Sequence, residues 1–223
     1  MQPALEIMMK DTMLRDLVEN ALDYEPSIDA ANIGIAVRNG VVTLTGHVAS
    51  YAQKLAAERV VEGVSGVRGI AQEIEVRDTF SKQMADDEIA SRALKIIAWD
   101  VTVPTDKIRV KVQKGWITLS GTVDWYFQRA AAERAVRRLS GVLGVTNQIL
   151  VSPAIAAGDV KRNIENALKR SAEVEAKGIT VSVIGSKVTL EGKVRSWREK
   201  KSIERAAWAA PGVASVDNQL VLE

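Results

Sequence analysis

The 223-residue chain contains no cysteine, which excludes disulfides, thiolate nucleophiles and cysteine metal sites. It has one histidine, His47, so a histidine-rich metal site or a His-based relay has no second member. Proline (5) and glycine (15) are too scarce for a fibrous or low-complexity protein. Charges interrupt every apolar run before the about 20 residues that a membrane-spanning helix needs. The N-terminus, Met-Gln-Pro-Ala-Leu-Glu, lacks the basic start, apolar stretch and small-residue cleavage site of a secretory signal. The expected compartment is the cytoplasm, or the periplasm if a leader preceded residue 1.

What the chain does have is an internal repeat, and a repeat decides the architecture. Val42-Thr43-Leu44-Thr45-Gly46 matches Ile117-Thr118-Leu119-Ser120-Gly121 and Val188-Thr189-Leu190-Glu191-Gly192. The same offsets align Gly66-Val67 with Gly141-Val142 and Gly212-Val213. They also align Ile74 with Ile149 and Leu220, and Glu58-Arg59 with Glu133-Arg134 and Glu204-Arg205. Agreement at several separated positions defines three copies, at residues 10–76, 84–151 and 157–223, joined by short linkers at 77–84 and 152–156.

Each copy reads helix, strand, strand, helix, strand. The first helix carries an apolar stripe at i, i+4, i+7 and i+8. In copy one this is Leu14, Val18, Ala21 and Leu22; in copy two Ile89, Ala93, Ile96 and Ile97; in copy three Val160, Ile164, Ala167 and Leu168. Asp11 and Asp86 are expected to cap the first two of these helices. A hairpin follows. Asn39-Gly40 suits a two-residue type I′ turn, whose central residues both need positive φ, and Lys114-Gly115 and Gly185-Ser186 occupy the same place. The second strand alternates apolar and polar residues, as one buried on a single face should. An aromatic comes next (Tyr51, Tyr126, Trp197), then an alanine-rich helix at 52–61, 127–137 and 198–209. A last strand is expected at 70–76, 145–151 and 216–222. A strand-helix-strand crossover gives parallel strands. The expected fold is therefore α+β: three tandem small modules, each a three-stranded mixed sheet with two helices on one face.

The run Gly-Val-Val-Thr-Leu-Thr-Gly-His-Val, a helix, and then Gly-Val-x-x-Val-x-Asn-Gln resembles the BON module of bacterial osmotically inducible and nodulation proteins. Gly46, Gly121 and Gly192 fall on the glycine that ends the family's second strand, and Gly66, Gly141 and Gly212 on the one before its last strand. Asn147-Gln148 and Asn218-Gln219 match the family pattern, whereas copy one has Gln72-Glu73. The resemblance covers about residues 10–223. It implies binding to phospholipid membranes or envelope partners, often under osmotic stress, and no catalysis.

Nothing in the residues argues for an enzyme. No phosphate-binding glycine loop, serine elbow or catalytic carboxylate pair is visible, and no cofactor or metal is expected. Thr43, Thr118 and Thr189 recur between apolar strand residues, either as a solvated sheet face or as a polar floor for a ligand. The glutamate–arginine pairs of the second helix read as solvated charges or contacts to a neighbouring module.

Charge is uneven. Copy one holds 6 basic and 10 acidic residues, copy two 10 and 7, and copy three 12 and 9. Lys193, Arg195, Trp197, Arg198 and Lys201 cluster at the start of the second helix of copy three. That cluster is either a solvated face or a candidate contact for anionic lipid, an acidic protein or, less favoured, nucleic acid. The matching Ala49, Tyr51, Ala52 and Leu55 of copy one include no cation. The expected function is non-enzymatic binding at an anionic membrane surface or to envelope components, in osmotic stress. The alternative is a chaperone-like or structural protein–protein module, with contacts between modules or between copies of the chain.

Overall fold

The computed structural model describes residues 2–77, 84–152, 160–170 and 178–222, with side chains from residue 9 onward. Most of both linkers, and the start of copy three, lie outside the described residues. Module 1 contains α1 (Gln2–Asp23), β1 (Ile33–Arg38), β2 (Val41–Val48), α2 (Tyr51–Glu62), β3 (Gly69–Gln72) and β4 (Glu75–Val76). Module 2 contains α3 (Asp86–Trp99), β5 (Ile108–Gln113), β6 (Trp116–Val123), α4 (Tyr126–Val136) and β7 (Gly144–Val151). Module 3 contains α5 (Val160–Arg170), β8 (Thr180–Ile184), β9 (Lys187–Val194), α6 (Trp197–Trp208) and β10 (Ser215–Leu222).

Each module has its own sheet. The hairpins β1–β2, β5–β6 and β8–β9 are antiparallel, and the last strand of each module adds in parallel beside the middle strand. In module 1 the last strand is split into β3 and β4, both paired with β2. The chain divides into two compact units, one of residues 1–84 and one of residues 85–223 that holds modules 2 and 3.

Burial follows the alternation read from sequence. Val42 and Leu44, Ile117 and Leu119, and Val188 and Leu190 are fully buried beneath the helices. Complete burial of such a side chain contributes roughly 1.5–3 kcal/mol, so these pairs anchor each module. Thr43, Thr118 and Thr189 lie on the other face and are half-buried. The helix stripes hold, with one exception: Ile96 points outward, while Ile89, Ala93 and Ile97 are buried.

The turns separate by type. Asn39 and Gly40 have φ of 53° and 76°, and Lys114 and Gly115 have 50° and 76°, as a type I′ turn requires. In the third hairpin Gly185 alone is positive, at 58°, the φ pattern of a type II′ turn.

Asp11 and Asp86 do not cap their own helices. Asp11 lies well inside α1, and Asp86 is the first residue of α3, after Ala85 at the cap position without a side-chain bond. Both carboxylates instead accept from the hairpin turn. The Asn39 and Gly40 amides donate to Asp11 at 2.7 and 3.0 Å, and the Lys114 and Gly115 amides donate to Asp86 at 2.7 and 2.9 Å. A tight turn leaves its amides pointing outward, and a carboxylate from the packed helix satisfies two of them at once.

Candidate functional site

The cluster read from sequence sits at one end of module 3, where β9 runs into α6. A capping box starts the helix: the Glu199 amide donates to Ser196 Oγ (3.1 Å), and the Arg195 amide donates to Glu199 Oε2 (2.8 Å). The same device starts α2, where the Gln53 amide donates to Ser50 Oγ (3.3 Å) and the Ala49 amide to Gln53 Oε1 (3.0 Å). In module 2 Trp125 replaces the serine, and Gln128 Oε1 accepts from the Asp124 and Trp125 amides. The sequence signal for this device is Ser-x-x-Glu/Gln, as Ser50–Gln53 and Ser196–Glu199, with the aromatic in its second position.

Lys193, Arg195, Arg198 and Lys201 are exposed. They surround a helix N-terminus, whose partial positive charge adds to theirs. Glu199 is the one acidic member and is buried against the backbone it caps. Trp197 sits apart from the exposed cations. It is half-buried, and its Nε1 is enclosed without a hydrogen-bond partner. Lys200 Nζ lies 5.6 Å from its ring centroid and donates to the Leu220 carbonyl at 2.6 Å. Lys54 makes the matching bond to Ile74 in module 1, at 2.7 Å. Lys200 therefore ties the last strand to the helix, and Trp197 packs the helix start rather than presenting itself to a surface.

The same position differs in each module. Module 1 offers Ala52, module 2 an exposed Phe127 stacked near Trp125 at 6.5 Å between centroids, and module 3 the exposed Arg198. Between the latter two, Tyr126 stacks on Trp208 with centroids 4.3 Å apart and 13° between planes. Burial first, and the nearby Glu204 carboxylate second, push the Tyr126 phenol above its ordinary range. Along α6 the cationic start and the aromatic stack are about 16 Å apart, from eleven residues at about 1.5 Å each.

Glu133 and Glu204 bond within their own modules, to Asn147 Nδ2 and Asn218 Nδ2, each at 3.0 Å. Glu204 also faces Tyr126 of module 2, so it serves both its own module and its neighbour. His47 is half-buried, in register with Glu75. Among the described residues no group of three metal-ligating side chains occurs, and no helix is long and apolar enough to cross a membrane.

Comparison with known proteins agrees with this modular geometry. Osmotically-inducible protein Y of Escherichia coli (strain K12) is 33% identical over 146 residues, spanning 63% of this chain and 72% of the relative. Two solved structures of CdsD, a structural protein of the type III secretion system of Chlamydia trachomatis, are 15% and 16% identical. They cover 93% and 94% of this chain and 91% and 97% of those chains, at TM-scores of 0.27 and 0.26, too low to carry an argument. The BON domain model matches residues 10–78, 85–153 and 157–223. A repeated unit that pairs its last strand in parallel beside a hairpin, matched three times along nearly the whole length, makes this chain a member of the BON-domain family.

Proposed function

We propose that this protein is a non-enzymatic binding protein that associates with anionic phospholipid surfaces through the cationic end of module 3, in the response to osmotic stress. The observation that carries the reading is the group of exposed cations at the start of α6, with no counterpart at the same place in module 1. Each cation held close to an anionic leaflet contributes about 1 kcal/mol. The relative's name, osmotically-inducible protein Y, supports the physiological setting. The half-buried Trp197 keeps the helix start rigid, so attraction comes from charge and not from an inserted indole.

The test is sedimentation with anionic and neutral vesicles over a range of salt, comparing the wild type with Arg195→Gln/Arg198→Gln/Lys201→Gln. The expected result is binding to anionic vesicles only, falling as salt rises past physiological strength, where screening acts within about 8–10 Å. The triple variant should lose most of that binding. Equal binding by both proteins, or none by either, overturns the reading.

A further inference from the structure

The helix-free face of the sheet in module 2 differs from its counterparts. Strand residues alternate between faces, and Ile117, Leu119 and Ile149 turn inward beneath α3 and α4. The outward positions of β5, β6 and β7 include Arg109, Lys111, Thr118, Ser120, Thr146 and Gln148, and no carboxylate. The matched faces carry Glu73 and Glu75 in module 1, and Glu191 and Asp217 in module 3. At one end of this face Trp116 pairs with Gly144 across the parallel ladder. A Cβ on Gly144 would overlap three carbons of the six-membered ring of Trp116. The indole therefore lies on bare backbone, with Gly144 buried beneath it, and is itself 54% exposed. Val41 on Gly69 and Lys187 on Ser215 take these places in modules 1 and 3, neither with an aromatic ring. Farther along the same face is a groove of about 520 Å³, whose lining includes Asp106, Lys107, Arg109, Ser120, Thr122 and Asp124. Ser120 follows Trp116 by four residues, about 13 Å along an extended strand.

We propose that this face binds an uncharged oligosaccharide, with one sugar ring stacked on Trp116 and the chain hydrogen-bonded along the strand into the groove. A sugar ring presents C–H groups of partial positive charge, which suit the negative face of an indole. Its hydroxyls both donate and accept, and the groove answers both. Asp106 and Asp124 accept, Lys107 and Arg109 donate, and Ser120 and Thr122 do either. A phosphodiester, of nucleic acid or of lipid, only accepts, and the two carboxylates would repel it. Lys107 and Asp124 already lie 3.3 Å apart, so the groove balances its own charges and selects no charged ligand. The distance from the indole to the groove calls for a chain of sugars rather than one ring.

This inference does not rest on the lipid reading, and failure of vesicle binding leaves its test untouched, because no residue of module 3 enters it. Titration calorimetry of the full chain with maltohexaose, cellohexaose and N-acetylchitohexaose should show binding of at least one. Its Kd should change by less than about twofold between low and high salt, since no charge on the ligand is screened. Trp116→Ala, with unchanged circular dichroism, should weaken that binding by at least about tenfold. Trp116→Phe keeps a ring over Gly144 and should retain most of it. Arg109→Met, which keeps the apolar stem and removes the donors, should weaken it by about fivefold. Trp99→Ala removes an exposed tryptophan at the end of α3 and should change nothing. No binding of any of the three sugars, unchanged affinity in Trp116→Ala or Arg109→Met, or an equal loss in Trp99→Ala overturns the proposal. So does binding of an oligothymidylate that is lost in Trp116→Ala while no sugar binds, which would assign the face to nucleic acid.

Discussion

Gly46, Gly121 and Gly192 have φ of 99°, 138° and 138°, a region that side chains other than glycine's rarely adopt. A Cβ at each would also overlap a backbone carbonyl oxygen fourteen residues earlier, that of Asn32, Lys107 or Gly178. Two penalties therefore coincide: backbone strain and a clash with a group that cannot swing aside. Gly121→Val should destabilise unit 2 by at least about 2 kcal/mol, read as a drop in urea midpoint. Gly185 serves as a control, because its φ is also positive but nothing lies within 4 Å of a Cβ there. Gly185→Asn should cost under about 1 kcal/mol, since asparagine tolerates left-handed backbone. Equal loss in both variants would remove the close approach as the cause. The recurrence of these glycines was legible in the sequence, and so was the idea of a bulge or close approach. The carbonyl that each one meets was not, because it comes from the segment entering the hairpin and only pairing brings it near.

Among the elements, the last strand shows most clearly what a repeat can and cannot reveal. Asn147 donates to the Arg129 carbonyl (3.1 Å) and to Glu133 Oε2 (3.0 Å), and accepts from the Ile149 amide (3.1 Å). Asn218 repeats the contact with Glu204 and accepts from Leu220 at 3.2 Å. The side chain thus clips the strand to the second helix. Copy one has Gln72, one methylene longer; it accepts from the Ile74 amide at 3.3 Å, but its Nε2 is buried without a partner. Here too the strand breaks into β3 and β4. Asn147→Ala should cost about 1–3 kcal/mol, because it also strands buried partners. Gln72→Asn should stabilise module 1 by roughly 1 kcal/mol by restoring the reach to Glu58. A thermal melt in which Gln72→Asn is neutral or harmful would argue that copy one has no room for the clip. The sequence displayed the Asn-Gln pattern and its exception without the reason, since the glutamate partner is fourteen residues upstream on another element. Helix periodicity likewise locates the stripes but not their width: the spacing puts Ile96 inside, whereas it faces out. Asp11 and Asp86 look like caps by position, yet a turn on the neighbouring hairpin claims their carboxylates.

At the scale of the molecule, the three modules are legible as a repeat, but the joining of modules 2 and 3 in one unit is not. Trp208 takes part in the contact between them, and its matched residues are Arg137 and Glu62, so the copies offer no pattern to read. Tyr126 stacks on it face to face. Stacked aromatic pairs contribute about 0.5–1.5 kcal/mol beyond their buried area, a contribution that links the two modules. The phenol's pKa is raised by burial and by Glu204, so the folded arrangement favours neutral tyrosine. Its contribution is complete below the unfolded value of about 10 and is lost as pH rises through the higher folded value. Calorimetry of unit 2 should therefore show a single transition near neutrality that broadens or divides above about pH 10. Tyr126→Phe keeps the ring and removes the proton, so its transition should stay single as the solution becomes alkaline. Tyr126→Ala removes the ring and should give two transitions even at pH 7. Were the phenylalanine variant to divide at the same pH as the wild type, the Tyr126 phenol would not be the cause. A Tyr126→Ala protein melting in one step would place the coupling outside this stack.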